Sequence, residues 1–257
     1  MLKRADVLLV ERNLAPSRTK AQELIATGQV EYFGRGHWRL VSGASLKLGL
    51  GTELRLIDAT LLKYVSRSGL KLEKALEHLN LSVAGLTALD MGQSTGGFTD
   101  CLLQHGVERV LGIDVGHGQV AERLLKEPRV TVLEGVHGRD LPCNDHFLEL
   151  HWPKFDLVVM DVSFISMTDL LPAIAQVIRP SGKLLSLVKP QFELDAKSLN
   201  KKGVVKDPSH YFLVKDKILG MCGQMGFVVQ DYFDSELPGR DGNREFFVYG
   251  EYQSESE

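Results

Sequence analysis

Hydrophobic and polar positions divide this chain into two regimes. In the first, KRADVLLVERNL carries apolar residues at helical spacing (Val7, Leu8, Val10, Leu14), and SRTKAQELIATG predicts a second helix, opened by Ser17 and closed by Gly28. Short β-like pieces follow (QVEYF, WRLV, SLKL, TELRLI), separated by Gly34, Gly36, Gly43 and Gly51. Two helices and a small sheet make an α+β module over residues 1–58, and ATLLKYVS, 59–66, reads as an apolar linker that docks. In the second regime, SRSGLKLEKALEHLNL predicts a helix. Continuous apolar runs then alternate with helical ones: ALDMG, VERVLGIDVG, VTVLEG, FDLVVMDVSF and GKLLSLVKPQF as strands, QVAERLLKEP, MTDLLPAIAQVIRP and HYFLVKDKILGMCGQMG as helices. GFVVQDYFDS and REFFVYGEY add two strands joined by ELPGRDGN, close enough to form an antiparallel hairpin. The alternation predicts an α/β domain over 67–252, with a seven-stranded, mainly parallel sheet whose last strand is reversed. QSESE, 253–257, is an acidic tail.

Charge sharpens this division. The chain of 257 residues has a net charge of -3, yet residues 1–58 hold nine Lys and Arg against six Asp and Glu. Arg4, Arg18 and Lys20 stand at or near helix starts, where cations oppose the helix dipole, so a phosphate-binding face explains them better than stability does, with an ordinary solvated surface as the alternative. Three cysteines without CxxC spacing suggest neither disulfides nor a metal site and point to a reducing cytoplasm. No signal peptide and no membrane-spanning run is predicted.

The stretch ALDMGQSTGGFTD, 88–100, reads as strand, glycine-rich turn and helix. An acidic residue, Asp114, closes the next strand, where it can take ribose hydroxyls. The spacing of Gly92, Gly96 and Gly97 differs from GxGxxG and suits S-adenosylmethionine, which has no pyrophosphate to cradle. A glycine-rich turn also occurs in α/β proteins that bind no nucleotide.

Charged residues close other apolar strands: Asp161 after VVM and Lys189 after LLSLV, with Pro190 bending the chain out of the sheet. Glu245 opens the reversed strand, so its start lies at the same edge. Lys71, on the first helix of this domain, could reach them. The segment 193–211 carries Lys197, Lys201, Lys202 and Lys206 beyond a strand end, as a substrate loop or as an ordinary solvated one.

These motifs carry two resemblances. RADVLLVERNLAPSRTKAQELIATGQVEYFG resembles the RNA-binding domain first known from small-subunit ribosomal protein S-four, which implies RNA contacts at Arg4, Ser17, Arg18 and Lys20. That family often has Asn where Phe33 precedes Gly34 here. SRSGLKL, VVMDVSF, LVKPQFE and NREFF resemble the FtsJ-type ribose 2'-O-methyltransferases, Rossmann-like enzymes with a Lys-Asp-Lys-Glu tetrad, here Lys71, Asp161, Lys189 and Glu245. The whole chain resembles the TlyA, or hemolysin A, family. This implies a cytoplasmic enzyme that methylates a ribose, in known members that of cytidine, in ribosomal RNA within subunits or ribosomes, with no evident obligate protein partner. S-adenosylmethionine would be held by Asp90, Gly92, Ser94, Thr95, Gly97, Phe98, Asp114 and Glu134, with GRDLP beside adenine. Gln93, where the family more often has Ala, would add bulk near the cofactor.

An unactivated ribose hydroxyl needs a base, for which Lys189 is the candidate. No metal is required, because the leaving group is a neutral thioether. A base-directed N-methyltransferase would want prolines after the fourth strand, which Asp161-Val-Ser-Phe lacks. An inactive assembly factor would not need the full tetrad. A membrane-damaging hemolysin has no span or basic amphipathic helix to support it.

Overall fold

The computed structural model describes residues 2–58, 62–239 and 242–253, and the chain folds as two units, Met1–Arg67 and Ser68–Glu257. Part of the expected linker (59–61), part of the hairpin loop (240–241) and most of the acidic tail (254–257) lie outside the described residues.

In the first unit, β1 (Leu2–Arg4) leads directly into α1 (Ala5–Glu11), and α2 (Arg18–Ala26) follows. Ser17 caps α2 by accepting from Lys20 N at 3.2 Å, as its sequence position predicts. The strands β2 (Val30–Gly34), β3 (His37–Leu40), β4 (Lys47–Gly49) and β5 (Leu54–Leu56) form a three-stranded antiparallel sheet in the order β3-β2-β5 and a separate pair, β1 with β4. The strand β1 has no sequence signal of its own: three residues, mostly exposed, gain strand character only by pairing with β4. Leu8, Leu9, Ala21, Leu24 and Val30 fill the core, and Leu62 packs against it.

Asp6, in the first turn of α1, is fully buried. It accepts from Arg4 Nε at 2.9 Å and Nη2 at 3.0 Å, from Arg18 Nη2 at 3.1 Å and from Gln22 Nε2 at 2.9 Å. The Arg4 guanidinium holds this carboxyl well below the usual carboxylate range, with Gln22 and Arg18 assisting against the cost of burial. The two arginines that oppose a helix dipole therefore also staple α1 to α2 through a buried acid, a partner that dipole reasoning alone does not supply.

The second unit begins with α3 (Ser68–His78). Parallel strands β6 (Thr87–Met91), β7 (Arg109–Asp114), β8 (Val130–Glu134), β9 (Phe155–Met160) and β10 (Ile178–Val188) then alternate with α4 (Gly97–Gln104), α5 (Glu122–Leu125), α6 (Asp145–Glu149) and α7 (Leu171–Val177). Then come α8 (Pro190–Glu193), α9 (His210–Gln224), β11 (Phe227–Asp234) and β12 (Phe246–Tyr252). The sheet order is β11-β12-β10-β9-β6-β7-β8, with β12 antiparallel to both neighbours. This is the expected α/β sheet with its reversed final strand. The central strands are continuous apolar runs because both faces are covered. Val214, Ile218 and Cys222, four residues apart, form the buried stripe of α9.

The predicted helix QVAERLLKEP shrinks to the single turn of α5, which ends before Pro128. The lysine-rich segment after α8 is tied down: Leu199 bridges Val205, and Asn243, 2% exposed, donates to Gly203 O at 3.0 Å and accepts from Val205 N at 3.3 Å.

Asp6→Ala should destabilise the protein by roughly 1–3 kcal/mol at neutral pH. Because the Asp6 carboxyl is depressed when folded, its contribution is present above about pH 4 and fades as pH falls. Denaturant titrations of both proteins across pH should show the gap closing in acid.

Candidate functional site

The turn after β6 is set by three local constraints. Asp90 is completely buried, and its Oδ2 accepts from Thr99 N at 2.9 Å and Thr99 Oγ1 at 2.6 Å, which fixes the start of α4 against the strand. Burial pushes the Asp90 carboxyl up to about 7; the Thr99 hydrogen bonds act the other way, and Asp161 and Asp114 add to the rise. Gly92 has φ +85°, and a Cβ there would lie 2.8 Å from Asp161 O, so only glycine lets this turn approach the end of β9. At the end of β7, Asp114 accepts from Ser94 N at 2.8 Å and Gly116 N at 2.7 Å, which holds its carboxylate at the mouth of the turn.

These strand ends surround a cavity of about 530 Å³. Of the residues expected to hold a cofactor, Gly92, Ser94 and Asp114 line it, together with Gly138 of the GRDLP stretch. Asp90, Thr95, Gly97 and Glu134 stand behind the lining: Thr95 O accepts from Ala121 N, and Glu134 Oε1 accepts from Gly118 N at 2.7 Å. Phe98 is turned into the core, 2% exposed, with its ring stacked on Phe247. Gln93 also departs from expectation. Instead of adding bulk beside the cavity, it lies 3% exposed against Gly112, and its Nε2 donates to Thr99 Oγ1 at 2.7 Å. A polar chain Gln93–Thr99–Asp90 thus runs beneath the turn, and Asp90 Oδ1 and Gln93 Oε1 are buried without hydrogen-bond partners among the described residues.

Two lysine–carboxylate pairs stand along the carboxyl edge of the sheet, and one of them reaches the cavity through Asp161. Lys71 Nζ lies 2.5 Å from Glu245 Oε2, both side chains under a tenth exposed. Lys189 Nζ lies 2.6 Å from Asp161 Oδ1 and donates to Ser163 Oγ at 2.9 Å. Val188 pairs with Phe246 across β10 and β12, so Lys189 and Glu245 sit one step beyond the same rung. Asp161 and Ser163 also line the cavity. All four residues of the expected tetrad therefore occupy the carboxyl edge of the sheet or face it, as two ion pairs.

Sequence reasoning missed other lining residues. Gln119 accepts from Ser94 Oγ at 3.1 Å, and His137 borders the cavity from the turn after β8; neither position carries a periodicity or strand-end signal. Phe164 is 91% exposed with φ +66°, a strained conformation for a non-glycine residue, and packs against Phe192. Glu193 grips this loop by accepting from Ser166 Oγ, Met167 N and Lys217 Nζ.

The expected RNA contacts divide. Arg4 and Arg18 keep 44% and 58% of their side chains exposed while bound to Asp6. Ser17 is occupied as the α2 cap, and Lys20 is buried with Nζ 3.3 Å from Glu23 Oε2.

Residues 64–252 match the FtsJ-like methyltransferase family. The 16S/23S rRNA (cytidine-2'-O)-methyltransferase TlyA of Mycobacterium tuberculosis (strain ATCC 25618 / H37Rv) is 37% identical over 96% of this chain and 88% of its own length. Hemolysin A of Brachyspira hyodysenteriae is 32% identical over 96% of this chain and 98% of its own. Among solved structures, a hemolysin candidate from Streptococcus thermophilus superposes with a TM-score of 0.76 at 35% identity, over 98% of this chain and 89% of that one.

Asp90→Asn should change how stability depends on pH. A carboxyl raised to about 7 in the fold stabilises it fully below about pH 4, and that contribution is lost as pH rises to about 7. The stability of Asp90→Asn relative to the parent should therefore rise between those values and level off above them, read by denaturant unfolding across pH.

Proposed function

The chain belongs to the FtsJ-like methyltransferase family, and from that premise we propose that it transfers a methyl group from S-adenosylmethionine to the 2'-hydroxyl of a cytidine ribose in ribosomal RNA. The observation that carries the reading is the pairing of Lys71 with Glu245 and of Lys189 with Asp161 along one sheet edge, where Asp161 lines a cavity shaped by a glycine turn. The TlyA relatives bear the same activity in their names.

The cavity fits the proposed methyl donor. The Asp114 carboxylate, oriented by two backbone N–H groups, retains lone pairs for ribose hydroxyls. Gly92, with no Cβ to meet Asp161 O, lets the turn close against the end of β9 and form one wall of the cavity, and Val115 and Leu170 supply apolar lining. Bound there, S-adenosylmethionine supplies an electrophilic methyl on a sulfonium, whose departure leaves a neutral thioether.

We assign the remaining work to side chains of this chain. Lys189, in its neutral form, takes the hydroxyl proton at Nζ as the ribose oxygen attacks, and Asp161 holds the resulting ammonium. Ser163 fixes the position of Nζ. The Lys71 ammonium, oriented by Glu245, offers positive charge to the developing oxyanion. Phe164, an exposed ring at the cavity rim, offers a planar face to the base of the target nucleotide. The first unit, with Arg4 and Arg18 exposed, would hold structured RNA through its phosphates. Ribosomal subunits or ribosomes are the proposed substrate form, and the cytoplasm the proposed compartment. Among the described residues, no helix is long and apolar enough to cross a membrane.

Purified protein with labelled S-adenosylmethionine should label ribosomal RNA at one nucleotide, and the linkage 3' to it should resist alkali. Lys189→Ala should lower the rate by about 100-fold or more. Full activity in that variant would remove Lys189 from the role of base, and methyl found on a base instead of a ribose would overturn the reaction class.

A further inference from the structure

The first unit presents a surface that its expected helical RNA contacts do not use. Phe33 on β2 and Trp38 on β3 are directly opposite partners in an antiparallel ladder, so both rings project from the same face of the sheet. That face points away from the core, because the alternate residues Val30 and Tyr32 pack inward. The rings meet edge to face, with centroids 5.5 Å apart and planes at 67°. Phe33 is 41% exposed and Leu40, on the same face, 56%. The guanidinium of Arg55 lies 4.1 Å from the Trp38 ring centroid and is steered there by Glu31, 2.7 Å away. Arg35, at the hairpin tip, and Arg39, on the edge strand, are exposed, and neither meets an acid among the described residues.

A pair of rings on the outer face of a small, well-folded sheet, Phe33 exposed and Trp38 half-buried, gains nothing for the core. Two observations limit what it can hold. The rings are interleaved with arginines in a unit whose residues 1–58 carry nine Lys and Arg against six Asp and Glu. A protein-binding patch of this size usually excludes charge from its centre, whereas here a guanidinium sits on the central ring. Nucleic-acid bases, with π-faces on a polyanionic backbone, match both the rings and the arginines. Duplex RNA buries its base faces in the stack, so only unpaired nucleotides can use such a platform.

We propose that the Phe33–Trp38 face is a stacking platform for unpaired bases of the RNA substrate, with Arg35, at the hairpin tip, meeting the phosphates beside it. This rests on ribosomal RNA being the substrate and adds a second contact, single-stranded in character, to the proposed phosphate-binding helices.

The chain has two tryptophans, Trp38 and Trp152, so a Trp152→Phe protein reports on Trp38 alone. Titrated with single-stranded oligocytidylate of about 12 nucleotides, its fluorescence should be quenched, and an RNA duplex of equal length should quench far less. In the full chain, Trp38→Ala should weaken single-strand binding about tenfold, Trp38→Phe should recover most of it, and Phe33→Asn should fall between. The loss should persist at high salt, where phosphate contacts weaken. Absence of quenching, equal quenching by duplex, or unchanged affinity in both Trp38→Ala and Phe33→Asn would overturn the platform. Methyl transfer to ribosomal RNA by the parent protein, measured in parallel, separates the two readings: transfer without quenching removes only the platform, and quenching without transfer removes only the enzymatic reading.

Discussion

A lysine ammonium and a glutamate carboxylate, both nearly out of contact with water, are the constraint around which the second unit is arranged. Burying either charge alone would cost several kcal/mol, and that cost is offset only while Lys71 and Glu245 remain together. Lys71 is carried by α3 and Glu245 by the entry to β12, so the pair fixes the first helix of the unit against its last strand. The neighbouring pair, Lys189 with Asp161, joins the ends of β10 and β9 in the same way. Two cations can lie at one sheet edge because each arrives with its own acid.

The site's other half depends on hydrogen bonds beneath the turn. Asp90 is too deeply buried to meet a ligand, yet it sets the glycine turn by capturing the backbone and hydroxyl of Thr99. Gly92 then permits the turn to approach Asp161, which brings the cavity and the lysine pair onto the same few ångströms of backbone. The architecture separates positioning, done by buried groups, from contact, left to Ser94, Asp114, Ser163 and the loop carrying Phe164. The first unit follows a similar economy: Asp6, buried, positions Arg4 and Arg18, which remain exposed.

Much of this was legible in the sequence, for definite reasons. The sheet could be read because parallel strands covered on both faces are written as unbroken apolar runs. Asp161 and Lys189 stood out because a charge closing such a run demands a partner or a ligand. Orientation within a turn was not legible. Phe98 and Gln93 lie in the glycine-rich motif, yet both turn inward, since the residue after the turn-closing glycine already belongs to the core face of α4 and Gln93 fits the gap left by Gly112. Nor could spacing reveal Gln119 and His137, which reach the cavity only through tertiary folding of loops. The strand β1 was invisible for a related reason, being defined by its partner and not by its own residues.

Glu245 follows Lys71 by 174 positions. Strand β12, which it opens, is inserted between β10 and β11 and is the last of the described strands in chain order. That strand supplies both the counter-ion of Lys71 and the antiparallel partner of β10. Every residue that lines the cavity lies between Met91 and Leu170, so the acid that holds Lys71 comes from a part of the chain that contributes nothing to the cavity wall.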